Sequence, residues 1–329
     1  MILSLIIPIF NVEKYILECL QSVAKNLPQD NVEIILVNDG SPDRSMQIVE
    51  DFLKSLDEKL SSHFNVINQE NQGLSAARNI GIKNSTGEYI GFLDSDDILN
   101  ENALNEVISL LQYKKYDLID FNIHRINDSG VRTDFLKPIM DQGAYDLNTD
   151  VLKLIFNQSA WYACKRVYKR DLFRDIDFPV GVNFEDAYTV PFIYLKAKSI
   201  YVSHFEIIGY RFNPNGITQT MSEKNLQDLR NASINLSKYI ESYPFVISSV
   251  LSLCRFYINN VIEVKGSWIG YREWKKISDH LRIYENKSYI YEFAFNFRSI
   301  MLFKFGYLFI YSVYLKNKMQ IQISSATHL

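Results

Sequence analysis

Asp94-Ser95-Asp96-Asp97 sets three carboxylates into four consecutive residues. Crowded this closely they repel one another, and a hard divalent cation with oxygen ligands is the usual reason for tolerating that. The alternative is a solvated acidic turn capping the helix that follows. A second polar cluster, Val37-Asn38-Asp39-Gly40-Ser41, offers in Asp39 an acceptor for hydrogen bonds from a base or ribose, though the same residues make an ordinary Asp-Gly turn. A third, Asn71-Gln72-Gly73-Leu74-Ser75-Ala76-Ala77-Arg78-Asn79, places a glycine turn at Gly73 ahead of a helix start built of small residues. A diphosphate can approach such a start and pair with Arg78; a helix lying tightly on a sheet with Arg78 in solvent fits the same string. Glu185 and Asp186, in Asn183-Phe184-Glu185-Asp186, precede the helical run 187–196 and suit a helix N-terminus.

These clusters need a scaffold that brings distant segments to one edge. From Leu3 to Phe121, short apolar runs alternate with stretches of helical period, the pattern of a mostly parallel sheet covered by helices. Strands are expected at 3–8, 32–37, 64–68 and 89–93, with helices near 12–23, 43–56 and 74–83 between them. In such sheets ligands bind beyond the carboxyl ends of the strands, where the VNDGS and DSDD strings fall. After Asn122 the period weakens, and beyond Ser222 aromatic-rich helical stretches take over, including 245–264 and 290–315. The expected division is a catalytic domain at 1–221, with halves 1–121 and 122–221, followed by a helical region at 222–329.

Composition narrows the function classes. With 35 Lys+Arg against 38 Asp+Glu the net charge is -3, so no basic field draws the chain to nucleic acid. Cys19, Cys164 and Cys254 lack paired spacing, which argues against a disulfide framework or zinc site and for a cytoplasmic setting. The N-terminus has no positive n-region and reads as a buried first strand.

Taken in order, Ile7-Pro8-Ile9-Phe10-Asn11, VNDGS, NQGLSAARN and Gly87-Glu88-Tyr89-Ile90-Gly91-Phe92-Leu93-Asp94-Ser95-Asp96-Asp97 resemble the family 2 glycosyltransferases of the GT-A fold, over residues 1–120 and more weakly to 220. The resemblance implies an α/β nucleotide-diphospho-sugar transferase fold with an α-helical C-terminal region. It implies that Pro8, Phe10, Asn11 and Glu13 line the base, that Asp39 contacts uracil or ribose, and that Arg78 lies near the base or diphosphate. The family's DxD motif falls on Asp94-Ser95-Asp96, so Asp94 would face the nucleoside, Asp96 would hold Mn²⁺ or Mg²⁺, and Asp97 would shape the donor-sugar side. Glu185-Asp186 resembles the family's ED motif and makes Asp186 the base that takes the acceptor hydroxyl proton in an inverting transfer. Tyr210-Arg211 with Gly216-Ile217-Thr218 resembles its YR…SIT stretch, with glycine in place of serine.

The reaction so implied moves a hexose or N-acetylhexosamine from a UDP-sugar to a hydroxyl of an undecaprenyl-diphosphate-linked saccharide, in synthesis of O-antigen, capsule or lipopolysaccharide. Trp161, with Tyr162 and the basic pairs Lys165-Arg166 and Lys169-Arg170, would serve the acceptor together with Glu185, or Trp161 is a core residue beside a solvated basic turn. His204 is either a ligand to metal or diphosphate or a surface histidine. The segment 290–318 is apolar and aromatic but interrupted by Arg298 and Lys304, which fits a helix lying in the inner-membrane interface or one buried on the catalytic domain. No QxxRW motif of processive synthases and no GxGxxG is present. The rival from another class is a noncatalytic nucleotide- or sugar-binding protein on the same fold.

Overall fold

The computed structural model describes residues 1–28, 30–113, 115–127, 130–136, 139–213, 221–285, 301–302 and 305–326. They form two compact units, Met1–Val151 with Ala160–Asn215, and Leu152–Ser159 with Gly216–Leu329.

The first unit opens with β1 (Leu3–Ile9), α1 (Ile16–Asn26), β2 (Val32–Asp39), α2 (Ser45–Ser55), the single turn α3 (Glu58–Ser61), β3 (Phe64–Gln69), α4 (Leu74–Asn84) and β4 (Tyr89–Phe92). Every residue of β1 and β4 is buried, as expected of central strands covered on both faces. Parallel pairing of β1 with β2 and β4, and of β2 with β3, aligns Ile9 with Asn38 and Ile6 with Phe92. The carboxyl ends of these strands therefore share one edge. On one face α4 lies so close to β1 that a Cβ on Gly81 would stand 2.4 Å from Ile6 Cγ2, which is why a small residue occupies that turn.

The chain continues through β5 (Ile98–Leu99), α5 (Ala103–Tyr113), β6 (Leu118–Ile126), β7 (Arg132–Leu136), β8 (Gly143–Asp146), α6 (Thr149–Gln158), β9 (Arg166–Lys169), α7 (Glu185–Lys196) and β10 (Ser199–Arg211). The sheet runs β3-β2-β1-β4-β9-β6-β10-β5, with β7 on β6 and β8 on β10. Here the pairing turns mixed: β9 is antiparallel to β4 and β6, while β10 is parallel to β6. That mixture is what the weakened period after Asn122 reflects.

The second unit contains most of α6, then α8 (Glu223–Ser237), α9 (Ile247–Lys265), α10 (Ser267–Glu285) and α11 (Tyr307–Ala326). Residues 152–159 join it because Phe156 meets Phe245 edge-on at 5.1 Å and its carbonyl accepts from the Ser249 hydroxyl at 2.7 Å. The segment Pro244–Lys265 is long and apolar enough to cross a membrane, but 67% of its most apolar window is buried inside the structure, as in a core helix. Of the segment 290–318, residues 290–300 and 303–304 lie outside the described residues.

Candidate active site

β4 delivers the chain to the shared edge. Leu93 N–H still bonds to Ile6, and the backbone then closes a tight turn in which Asp97 N–H donates to Asp94 O at 2.9 Å. Arg78, on α4, is 1% exposed and lies over the rings of Phe92 and Phe178, 5.7 and 5.2 Å from their centroids. Its Nη2 donates to Asp94 at 2.9 Å, and its Nη1 to Glu185 at 2.6 Å and Asp186 at 2.9 Å. Arg78 is thus engaged by carboxylates from two distant segments of the first unit. The sequence expectation of a diphosphate contact did not foresee this, because its partners in α7 lie 107 and 108 residues away.

One cation facing three carboxylates leaves negative charge in surplus. Burial pushes the Asp186 carboxyl up to about 7, with Arg78 pulling it down and Glu185 pushing it further up. Asp186 Oδ2 also accepts the Ala163 N–H at 2.9 Å, which fixes the orientation of the carboxylate. Glu185 and Asp186 open α7 behind Phe184, whose φ of 60° places a bulky residue in the left-handed region. Such a conformation costs on the order of 1–3 kcal/mol and characteristically occurs where a site requires it.

The rest of the acidic turn is anchored by Arg211 at the end of β10. Its backbone N–H donates to Asp97 Oδ1 at 2.7 Å, Nε to Asp96 O at 2.9 Å, and Nη2 to Glu18 at 2.6 Å. Asp96 presents Oδ2 to the Asn213 amide at 3.1 Å. Burial and neighbouring aspartates raise the carboxyls of both Asp96 and Asp97. Asp97 Oδ2 is buried and, among the described residues, has no hydrogen-bond partner. Asp94, Asp97 and Cys164 can place one ligand atom each within 4.8 Å of one another. Two carboxylates, one with an orphaned oxygen, suit a hard divalent cation. The Cys164 thiol, held protonated by burial, does not. The geometry therefore groups Asp97 with Asp94, where the resemblance assigned the metal to Asp96. Ser95, between them, is buried.

Beside this cluster lies a second floor. Asp39, 2% exposed, accepts from Gln69 Nε2 at 2.5 Å, Gln72 N–H at 2.9 Å and Gly73 N–H at 2.8 Å. Its carboxylate ties the end of β2 to the loop before α4, where Gly73 takes a φ of 89° that few other residues tolerate. Pro8 is buried in β1, while Phe10 leaves the sheet 45% exposed. Asn11, at φ 54°, donates its N–H to Ser41 Oγ at 2.8 Å, and Glu13 donates its N–H to Asp43 at 2.8 Å. Burial would raise the Asp43 carboxyl, but bonds from Ser41, Ser45 and Glu13 outweigh it and hold it at about 2. Ser41 and Asp43 are thus the brace of the Asn11–Glu13 loop, a role missed in the sequence although Ser-Pro-Asp ahead of a helix is a recognisable capping string.

Several acceptor-side expectations find different surroundings. Trp161 is 5% exposed and meets Tyr194 edge-on at 5.9 Å, so its ring is a core surface and not an open platform. Lys165 and Arg166 do not form a solvated basic turn: they are 0% and 2% exposed and both engage Asp120. Tyr162 and Tyr210 join Phe135 in an aromatic group, Tyr210 stacked on it at 5.5 Å. His204 is exposed, its Nε2 3.1 Å from Met140 O. Gly216-Ile217-Thr218 lies outside the described residues.

The glycosyl transferase family 2 model matches residues 4–176. Among curated relatives, the uncharacterised glycosyltransferase EpsJ of Bacillus subtilis is 30% identical over 66% of this chain and 63% of its own. Glycosyltransferase GlyG of Streptococcus pneumoniae is 32% identical over 67% of this chain and 73% of its own. Coverage of GlyA from the same organism falls to 33% of its length, so the chain corresponds to only part of some relatives. The crystal structure of Staphylococcus aureus TarS 1–349 in complex with UDP-GlcNAc superposes with a TM-score of 0.60 at 22% identity, covering 80% of this chain and 73% of that one, which shows the GT-A fold in common. The chain belongs to glycosyl transferase family 2.

Proposed function

We propose that the chain is an inverting glycosyltransferase that moves a hexose or N-acetylhexosamine from a UDP-sugar to a hydroxyl of a lipid-linked saccharide, in assembly of a bacterial surface polysaccharide at the cytoplasmic face of the membrane. The observation that carries the reading is the meeting of Asp94, Glu185 and Asp186 on buried Arg78 at the carboxyl edge of the parallel strands. That TarS structures hold UDP-GlcNAc and UDP supports a UDP-sugar donor on the shared fold.

In this reading the exposed ring of Phe10 stacks on the base, while Asn11 and the loop tied by Asp39 border the ribose. Asp186, with a carboxyl near 7, takes the proton of the acceptor hydroxyl as that oxygen forms its bond to the anomeric carbon. The bond to the nucleotide breaks on the opposite face, its electron pair leaving with the diphosphate, and the configuration inverts. Arg78 and Ala163 N–H hold Asp186 in place for that transfer. Asp94 and Asp97, with Asp96 beside them, are the residues that would hold Mn²⁺ or Mg²⁺. Such an ion supplies positive charge to the departing diphosphate.

The test is release of UDP from a panel of UDP-sugars beginning with UDP-GlcNAc, with Mn²⁺, Mg²⁺ or EDTA, and with lipid-diphosphate saccharide analogues as acceptors. Release from one donor, suppressed by EDTA, is the expected result. Tight UDP binding without consumption of any donor across the acceptor panel overturns it in favour of a noncatalytic binding protein.

A further inference from the structure

A cavity of about 770 Å³ in the first unit has no part in the cluster around Arg78. It originates in a local failure of strand register. From Val202 to Ile208 β10 takes six steps while its partner β6 takes three, from Asp120 to Ile123. The surplus residues bulge out of the ladder. On its other side β10 is covered by β8 at Ser199–Val202 and by β5 at Ile208–Gly209, so the bulge falls between the two covering strands. Asn100 and Asn122 pin it: the Asn100 amide donates to Glu206 O at 2.6 Å, and the Asn122 amide to His204 O at 2.8 Å.

The lining has the chemistry of polyol recognition. Asn122 is 8% exposed, lines the cavity, and among the described residues leaves its Oδ1 without a hydrogen-bond partner. A buried amide oxygen in that state costs stability unless a ligand or water donates to it. Asn100, His204 and Glu206 add further donors and acceptors, and half-buried Phe205 adds an aromatic ring. Arg132 pairs with Glu206, and the lining carboxylate of Glu101 with Lys25 at 3.8 Å, so these couples select neither an anion nor a cation. Convergent amides, the carboxylates of Glu101 and Glu206 and one ring in a cavity of this size suit a neutral sugar, whose hydroxyls both donate and accept.

We propose that this cavity is a saccharide-binding site, apart from the catalytic cluster, that holds one unit of the acceptor glycan. Assigning the saccharide to the acceptor rests on the transferase reading above; the binding chemistry does not.

Calorimetric titration of the wild type, Asn122→Leu and Phe205→Ala with the methyl glycosides of glucose, galactose, N-acetylglucosamine and N-acetylgalactosamine, with inorganic phosphate and with UDP tests it. At least one glycoside should bind, and its affinity should fall by about tenfold or more in both variants while UDP affinity stays within about twofold. If Asn122→Leu does not fold, Phe205→Ala carries the comparison alone. Absence of glycoside binding up to solubility, equal binding by the variants, or binding of phosphate only overturns the proposal. Glycoside binding lost in the variants, in a chain that releases UDP from no donor, keeps the site and removes the transferase reading. UDP release without glycoside binding does the reverse.

Discussion

Arg78 and Asp120 are hubs of two buried ion clusters in the first unit, and the clusters are mirror images in charge. Arg78 faces three carboxylates; Asp120 faces two cations, Lys165 Nζ at 2.5 Å and Arg166 Nε at 3.2 Å. In the Asp120 cluster the surplus is absorbed locally. Arg166 donates to the Tyr194 hydroxyl and to the carbonyls of Tyr162 and Ala160, and burial brings Lys165 down to about 8 against the pull of Asp120. Nothing in it opens to solvent, the side chains of all three being under 10% exposed. In the Arg78 cluster the side chains of Asp94 and Asp186 remain 27% and 24% exposed, and the surplus negative charge is left facing outward. A closed cluster holds strands β6 and β9 together; an open one of uncompensated charge has capacity left for a ligand and a proton.

The sharpest way to break this contrast is to remove one carboxylate from each cluster. Asp186→Asn keeps the shape of the open cluster but removes the proposed base, and turnover should fall by about 10²–10⁴ with UDP binding retained. Turnover near the wild-type level would remove Asp186 from the reaction. Asp120→Ala strands two buried cations and should cost about 3–5 kcal/mol in urea unfolding. A loss as small as that of a surface substitution would mean that Asp120 is not the hub described.

A pH series sharpens the contrast further. Since Asp186 ionises near 7 in the fold against an ordinary 3.8, the folded chain binds more protons than the unfolded chain between those values. Its contribution to stability is full below about 4 and is lost as pH rises through about 7. The wild type minus Asp186→Asn difference in stability should decline over that window, while turnover, which in the proposed mechanism needs the ionised base, rises through it. A difference that grows with pH would overturn the assigned environment. The smallest effect belongs to a pair outside both clusters: Lys115→Ala, whose side chain is 67% exposed beside Glu88, should change stability by under about 1 kcal/mol.

How much was legible beforehand follows the same division. Strands β1 to β4 and helices α1, α2 and α4 were readable within a few residues, because apolar runs separated by helical period dictate a parallel sheet locally. The DSDD and NDGS strings were placed at strand ends by the same logic. The partners of Arg78 were not readable, nor was the burial of Lys165 and Arg166, since a cation is usually solvated and a sequence carries no sign of a carboxylate that arrives from a distant element. Asp97 rather than Asp96 holding the orphaned oxygen depends on Arg211, which reaches the turn from 114 residues away.

By itself, then, the sequence determined the order of the elements through β4, the edge at which polar residues gather, and the family. Those depend on periodicity and on strings of adjacent residues, which act through local backbone geometry. Only the tertiary structure decided which charges are compensated, which oxygen is left without a donor, where β10 bulges, and that Leu152–Ser159 belongs with the second unit. Each of these depends on contacts between distant segments, whose energies arise from burial and charge in the assembled fold and are written in no single stretch of chain.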